Sequence, residues 1–256
     1  MSSDFYNSEM AAKQEQMART KDMVRQRAEI MRQLSPDRGE AVLEIGSGNG
    51  ILVRELIEAV GPDGRVVGLD ASEAILEMAR HICPKGEFLP GDAQDLPFED
   101  ETFDAVVTAQ VLCFLNDVDR AISEIHRVLK PGGRLVVLDT DWDTLIWESN
   151  DPELMARVMN DYQAVYSDAH LPRSLPRRLL RVGFANIEVG SFVVLNTSFG
   201  ADTYARQSAE FAISIMESSA DFTPEEQAAW LEGQEELART GAFFFSLNRY
   251  LISAQK

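Results

Sequence analysis

The stretch Val42-Leu43-Glu44-Ile45-Gly46-Ser47-Gly48-Asn49-Gly50 decides the fold. A short apolar run of strand length, Ala41–Ile45, enters a turn with glycine at every second position, and an apolar helical pattern, Gly50–Val60, leaves it. Glycines between a buried strand and a helix let backbone approach a ligand closely. Two ligand classes use such a turn. A dinucleotide rests its pyrophosphate on the amides that open the helix and asks for G-x-G-x-x-G. Here the third glycine falls one residue early, and Ile51 stands in its place. Glu44, two positions before the first glycine, would repel a pyrophosphate and suits a cation.

S-adenosylmethionine (SAM) carries an ammonium, a carboxylate and a sulfonium and no phosphate, so it is the second class. The next elements sharpen the choice. A second strand, Val66–Asp70, ends on an acid in Gly68-Leu69-Asp70-Ala71-Ser72, placed to take both ribose hydroxyls in charge-assisted hydrogen bonds. That feature serves any adenosine ligand. After a helix at Ser72–His81 and a third strand at Glu87–Leu89 comes Gly91-Asp92-Ala93-Gln94-Asp95-Leu96-Pro97-Phe98. There Asp92 can accept from an adenine amino group and the Ala93 amide can bond a ring nitrogen. A fourth strand, Phe103–Thr108, runs into Ala109-Gln110-Val111, where backbone would meet the methionine end. A helix at Val118–Leu129, a stop at Lys130-Pro131-Gly132-Gly133 and a fifth strand at Arg134–Asp139 complete the rhythm. Alternating strands and helices with apolar strands indicate a parallel sheet covered on both faces.

The ordered set Glu44–Gly50, Gly68-Leu69-Asp70, Gly91-Asp92-Ala93, Phe103-Asp104 and Arg127–Gly133 resembles class I SAM-dependent methyltransferases. Within them it is most similar to the branch typified by ubiquinone and menaquinone biosynthesis. The resemblance is strong over residues 41–139 and extends to the C-terminal half in outline. It implies a Rossmann-like α/β fold: a seven-stranded, mostly parallel sheet with an antiparallel last strand, which Phe243–Ala254 would supply. It also implies a SAM site at the carboxyl ends of strands one to four, formed by Glu44, Gly46, Ser47, Gly48, Asp70, Ala71, Asp92, Ala93 and Gln110. Asn49 departs from the commoner Thr or Cys in the turn, with little expected consequence because backbone does most of the binding there.

One domain accounts for the 256 residues. Residues 1–38 read as N-terminal helices forming a lid, with Tyr6 beside Phe5 as a candidate substrate contact. Residues 39–140 read as the SAM-binding core, and 141–256 as the acceptor-side half with a helical insertion at 200–240. That insertion contains Thr223-Pro224-Glu225-Glu226, a capping box with Pro at the first helical position. Its apolar residues, Phe211, Ile213, Ile215, Met216, Phe222 and Trp230, are too many for a solvated arm. They predict either a cap over the acceptor pocket or a dimer surface, so the chain is expected as a monomer or a homodimer.

On the acceptor side, strand five ends in Asp139-Thr140-Asp141-Trp142-Asp143. Asp141 is a candidate base and Trp142 a candidate acceptor contact, since Trp faces attract cations. His170, in Asp168–Arg173, lies near the rim as a second candidate base or an acceptor contact; His81 and His126 read as structural. Arg173 opens a basic stretch with Arg177, Arg178 and Arg181 that is either a solvated helix face or an anion site. Alternation along an extended segment would put Asp139, Asp141 and Asp143 on one side, as in a magnesium site, but no metal is expected.

The net charge of −18 disfavours nucleic acid. No apolar run at Met1–Gln33 marks a signal or a membrane span, and two cysteines without metal-ligand spacing, Cys83 and Cys113, fit a reduced cytoplasm. The expected reaction is methyl transfer from SAM to a small molecule at oxygen, nitrogen or carbon. The alternative is a SAM-binding protein of the same fold that catalyses cyclisation or only binds and regulates.

Overall fold

A computed structural model describes residues 16–256. Five parallel strands, β1 (Ala41–Ile45), β2 (Arg65–Asp70), β3 (Glu87–Pro90), β4 (Phe103–Ala109) and β5 (Leu129–Thr140), lie in the order 3-2-1-4-5. The last strand, β8 (Phe245–Gln255), runs antiparallel beside β5, and β7 (Ala185–Asn196) pairs antiparallel on the far side of β8. This is the expected α/β sheet with its antiparallel last strand. An extra two-residue strand, β6 (Ile146–Trp147), pairs with the start of β8 at Phe245 and Ser246. The apolar runs of the middle strands, Val42–Ile45, Ala105–Thr108 and Leu135–Thr140, are buried, as a doubly covered sheet requires.

Register sets the working edge. Ile45 lies opposite Leu69 on one side and Thr108 on the other. The chain therefore leaves β1, β2 and β4 at nearly the same height, and the glycine turn, Asp70 and Gln110 share one rim. The order reverses between β1 and β4, which is where an open parallel sheet leaves a crevice.

Helices α1 (Lys21–Leu34), α2 (Ile51–Val60) and α3 (Glu73–Ile82) pack into one core layer, with Ile30, Leu34, Leu56 and Leu76 fully buried. Helices α4 (Val118–Val128) and α6 (Leu171–Val182) pack into the other, through Ile122, Ile125, Leu175 and Leu179. The Thr20 side chain caps α1 by accepting from the Met23 amide. Arg134 fastens the other end of α1: it donates to the Leu34 and Ser35 carbonyls and pairs with Glu40 at 2.6 Å.

Helix α5 (Pro152–Ala164) joins the first layer, and the insertion folds onto it as α7 (Tyr204–Ser218) and α8 (Pro224–Thr240). The predicted capping box opens α8, with Thr223 and Glu226 each bonding the other's backbone. Trp230 meets Trp147 edge-on at 5.2 Å, and Phe222 is buried, so the insertion is part of the core.

Two boundaries differ from expectation. Pairing of β5 begins at Leu129 opposite Phe103, and the Pro131-Gly132-Gly133 segment is absorbed as an irregularity before regular pairing resumes at Arg134. Helix α6 begins at Leu171 instead of Leu175, because Pro172 falls in the first turn, where a missing N–H costs nothing.

Candidate active site at the carboxyl edge of the sheet

A cavity of about 470 Å³ opens where β1, β2 and β4 end. Its wall includes every residue assigned to the cofactor from the sequence: Glu44, Gly46, Ser47, Gly48, Asp70, Ala71, Asp92, Ala93 and Gln110. Gly46 and Gly48 have φ of +70° and +51°. A β-carbon on Gly46 would lie 2.1 Å from the Val111 side chain, whereas one on Gly48 would meet no protein atom. Gly46 is thus required by packing, whereas Gly48, which lines the cavity, has open space where a β-carbon would stand.

The acids are arranged for a cationic, hydroxyl-bearing guest. Glu44 is 5 % exposed and its Oε2 has no partner. Burial first, then repulsion from Asp70 and Glu55, holds its carboxyl well above the usual range, with Arg27 opposing. Asp70 accepts from the Gly48 amide through one oxygen and from the Ser72 amide through the other, both at 3.0 Å. Burial raises its pKa despite those bonds. Asp92 is exposed and held in an Asx turn by the Gln94 amide at 2.8 Å. A buried carboxyl with an orphaned oxygen, Glu44, and a half-buried one, Asp70, around one cavity are destabilised as anions until a cation joins them. The ammonium and sulfonium of SAM fit that requirement.

Gln110 closes β4 at φ +59°, a conformation few side chains adopt. Its side chain is gripped behind the wall: Nε2 donates to Asp139 at 3.3 Å and Oε1 accepts from the Thr140 hydroxyl at 2.7 Å. Asp139 is 1 % exposed, and burial pushes its pKa up to about 6 against hydrogen bonds from Cys113 and Thr140 and the nearby charge of Arg249. Its Oδ2 has no partner.

The sequence reading missed the residues that α1 sends into the cavity, Met23, Gln26, Arg27 and Ile30, along with Val111, Phe114 and Leu115. The only signal for α1 was its apolar stripe. It also missed Arg249, which shares the buried face of β8 with Leu247 and Leu251 and could have been noticed as a charge at an apolar position.

The acceptor-side candidates are not in this wall. Asp141 gives both oxygens to Arg173, at 2.5 and 2.8 Å, and lies 3.4 Å from His170 Nδ1. Arg173 also reaches Asp143 at 2.7 Å. Asp141, Asp143 and His170 offer ligand atoms within 4.8 Å of one another, and the guanidinium of Arg173 bridges the two acids. Asp139 is not part of this group: its carboxyl is held against Gln110, while Asp141 caps the 3₁₀ turn Trp142–Thr144 and pairs with Arg173. Trp142 is 2 % exposed and stacks on Tyr166 at 4.3 Å. Phe211 meets Tyr162 edge-on at 5.3 Å. Arg178 pairs with Asp119 at 2.8 Å, so part of the basic stretch is neutralised by its neighbours. Tyr6 and Phe5 lie outside the described residues.

Residues 43–137 match the methyltransferase domain family. A demethylmenaquinone methyltransferase of Staphylococcus aureus is 33% identical over 184 residues, 65% of this chain and 76% of that protein. This chain belongs to the class I SAM-dependent methyltransferases. A second demethylmenaquinone methyltransferase, from Lactococcus lactis, is 40% identical over 124 residues, 46% of this chain and 49% of that protein. The chain thus spans about half the length of the curated relatives it matches first. Among solved structures, a phosphoethanolamine N-methyltransferase of Haemonchus contortus bound to SAM shares the fold, with a TM-score of 0.65 at 20% identity over all of this chain and 60% of that one.

Proposed function

We propose that this methyltransferase moves a methyl group from SAM to a small-molecule acceptor without a metal. The observation that carries this is the orphaned, buried Glu44 carboxylate beside a glycine turn whose Gly48 leaves space for a ligand. Bound SAM would supply an electrophilic methyl on a good leaving group. The chain's own work is then chiefly positioning. Glu44 would hold the ammonium, Asp70 the ribose hydroxyls and Asp92 with Ala93 the adenine edge. The Gln110 turn would hold the methionine end, clamped by Asp139 and Thr140. Residues 1–38 would act as the lid, since α1 already contributes Gln26 and Arg27 to the wall.

The acceptor half would comprise 141–256, with Asp141, His170, Trp142, Arg173 and Phe211 shaping it from behind the cavity. Among the described residues no helix is long and apolar enough to cross a membrane, and Cys83 and Cys113 are buried and unpaired. A cytoplasmic monomer or homodimer suits both facts. The test is incubation with labelled SAM and a metabolite extract, in the presence and absence of a chelator. Labelled small molecules and S-adenosylhomocysteine in equal amounts are expected in both. Binding of S-adenosylhomocysteine with no turnover in any extract would favour the non-transferring alternative, and loss of turnover on chelation would reinstate a metal.

A further inference from the structure

Helix α1 belongs to the cavity and to the insertion at once. Met23, Gln26, Arg27 and Ile30 stand in the cavity wall. Asp22, beside them, lies outside that wall and is 4 % exposed. It serves the other end of the chain. Its Oδ2 accepts from the Asn196 side chain at 2.9 Å and from the Tyr204 amide at 3.2 Å. Asn196, at the end of β7, accepts in turn from the Ala205 amide at 2.9 Å. Tyr204 and Ala205 open α7, so their N–H groups have no acceptor within the helix. The Thr203 side chain caps only the Arg206 amide. The first turn of α7 is therefore completed from α1 and β7, and a carboxylate there also suits the helix dipole.

The ring of Tyr204 is tied to α1 as well. The Arg249 guanidinium covers that ring at 4.6 Å and donates to Gln26 Oε1, one helical turn along α1 from Asp22. Asp139 on β5 supplies Arg249 with a nearby counter-charge, which keeps the cation in place. Tyr204 is thus held at its amide by Asp22 and at its ring through Gln26, and Gln26 is itself a wall residue. The Lys21–Asp202 ion pair at 2.6 Å spans the same junction, but both groups are exposed and it adds little. If α1 leaves the wall, the Tyr204 amide and the buried side chains of Asp22 and Asn196 lose partners together. Docking of α1 and formation of the first turn of α7 are then linked in free energy.

We propose that Asp22 is a positioning residue that couples the cofactor cavity to the insertion, so that a ligand fixing α1 in the wall also fixes the start of α7. The inference rests on the methyltransferase reading for the identity of that ligand. Phe211 lies on the same helix and meets Tyr162 edge-on, so the coupling reaches the acceptor-side half.

The test is amide hydrogen exchange, read by mass spectrometry on the full chain with and without saturating S-adenosylhomocysteine. In wild type the ligand should slow exchange in α1 and in the first turns of α7 by about tenfold, within the usual range of coupling between sites. Asp22→Ala should still bind S-adenosylhomocysteine and keep the protection in α1, but lose the ligand effect in α7. Asp22→Asn, whose amide oxygen still accepts, should keep part of it. A cap that only stabilises α7 would speed exchange there by one factor, ligand or no ligand, and the ligand effect would survive. Full survival of that effect in Asp22→Ala overturns the proposal, as does unchanged α7 exchange in liganded wild type. Loss of S-adenosylhomocysteine binding in a folded Ala variant overturns it too, because Asp22 would then build the cavity itself. Should circular dichroism show that Asp22→Ala does not fold, Asn196→Ala breaks the same junction from β7, and the same loss is required of it. Failure of wild type to bind S-adenosylhomocysteine at all would instead refute the methyltransferase reading.

Discussion

Asp70 shows how one side chain does two tasks. Its oxygens anchor the Gly48 and Ser72 amides, which hold the glycine turn against the end of β2, and their remaining lone pairs face the cavity. Asp70→Ala is expected to weaken S-adenosylhomocysteine binding by about 1.5–3 kcal/mol, the range for hydrogen bonds to a charged group. Asp70→Asn should recover part of this, because an amide oxygen still accepts. Calorimetry on the three proteins checks it, and unchanged affinity in the Ala variant would refute the ribose assignment. Asp139 gives a pH signature. Its pKa rises from 3.8 to about 6 on folding, chiefly through burial. The folded chain therefore binds more protons than the unfolded chain between these values, and the contribution of Asp139 to stability falls as pH rises from about 4 to 6. About two pH units correspond to about 3 kcal/mol. Denaturant unfolding at pH 4.5 and 7 should show Asp139→Asn losing this part of the slope. An identical slope in both proteins would place Asp139 in a wetter setting than the fold gives it.

At the scale of elements, the insertion between β7 and β8 behaves as a buttress. Helices α7 and α8 and the loop between them bury Met216, Phe222, Trp230 and Leu237 in the core layer that also holds α5 and Phe245 at the start of β8. Trp142, in the turn after β5, is the wedge between Tyr162 and Tyr166. Trp142→Ala should cost about 3–5 kcal/mol of stability, as removal of a buried aromatic does. Phe211 is half-buried, so Phe211→Ala should cost less and affect acceptor kinetics more selectively. Acceptor Michaelis constants at saturating SAM, measured beside cofactor titrations, should move in both variants while cofactor affinity stays near wild type. Normal acceptor kinetics with loss of a dimer would make the insertion an assembly surface.

For the molecule as a whole, the net charge of −18 and the cavity acids point the same way. A ligand carrying positive charge relieves repulsion inside the site, and a dinucleotide adds to it. S-adenosylhomocysteine at 100 times its dissociation constant should stabilise the fold by about 2.7 kcal/mol. NAD at the same concentration should leave the melting temperature unchanged. A larger shift with NAD would contradict the assignment of the turn.

Much of this was legible in the sequence because the half around the glycine turn, residues 39–140, is built from local units. A buried strand, a glycine turn and an acid at the next strand's end are each written within a few residues, and parallel pairing brings the ends of β1, β2 and β4 level. The positions Glu44, Gly46, Gly48, Asp70, Asp92 and Gln110 therefore converged on one cavity as the spacing required. The C-terminal half, residues 141–256, is different in kind. Whether Asp141 faces a ligand or Arg173 depends on a 3₁₀ turn and on a helix thirty residues downstream. Whether Arg249 is a surface charge or a buried one depends on α1 and α7 closing over β8 from opposite ends of the chain. Local periodicity fixes which way a strand's side chains point. Only long-range packing decides what they meet there, and so which charges find a partner.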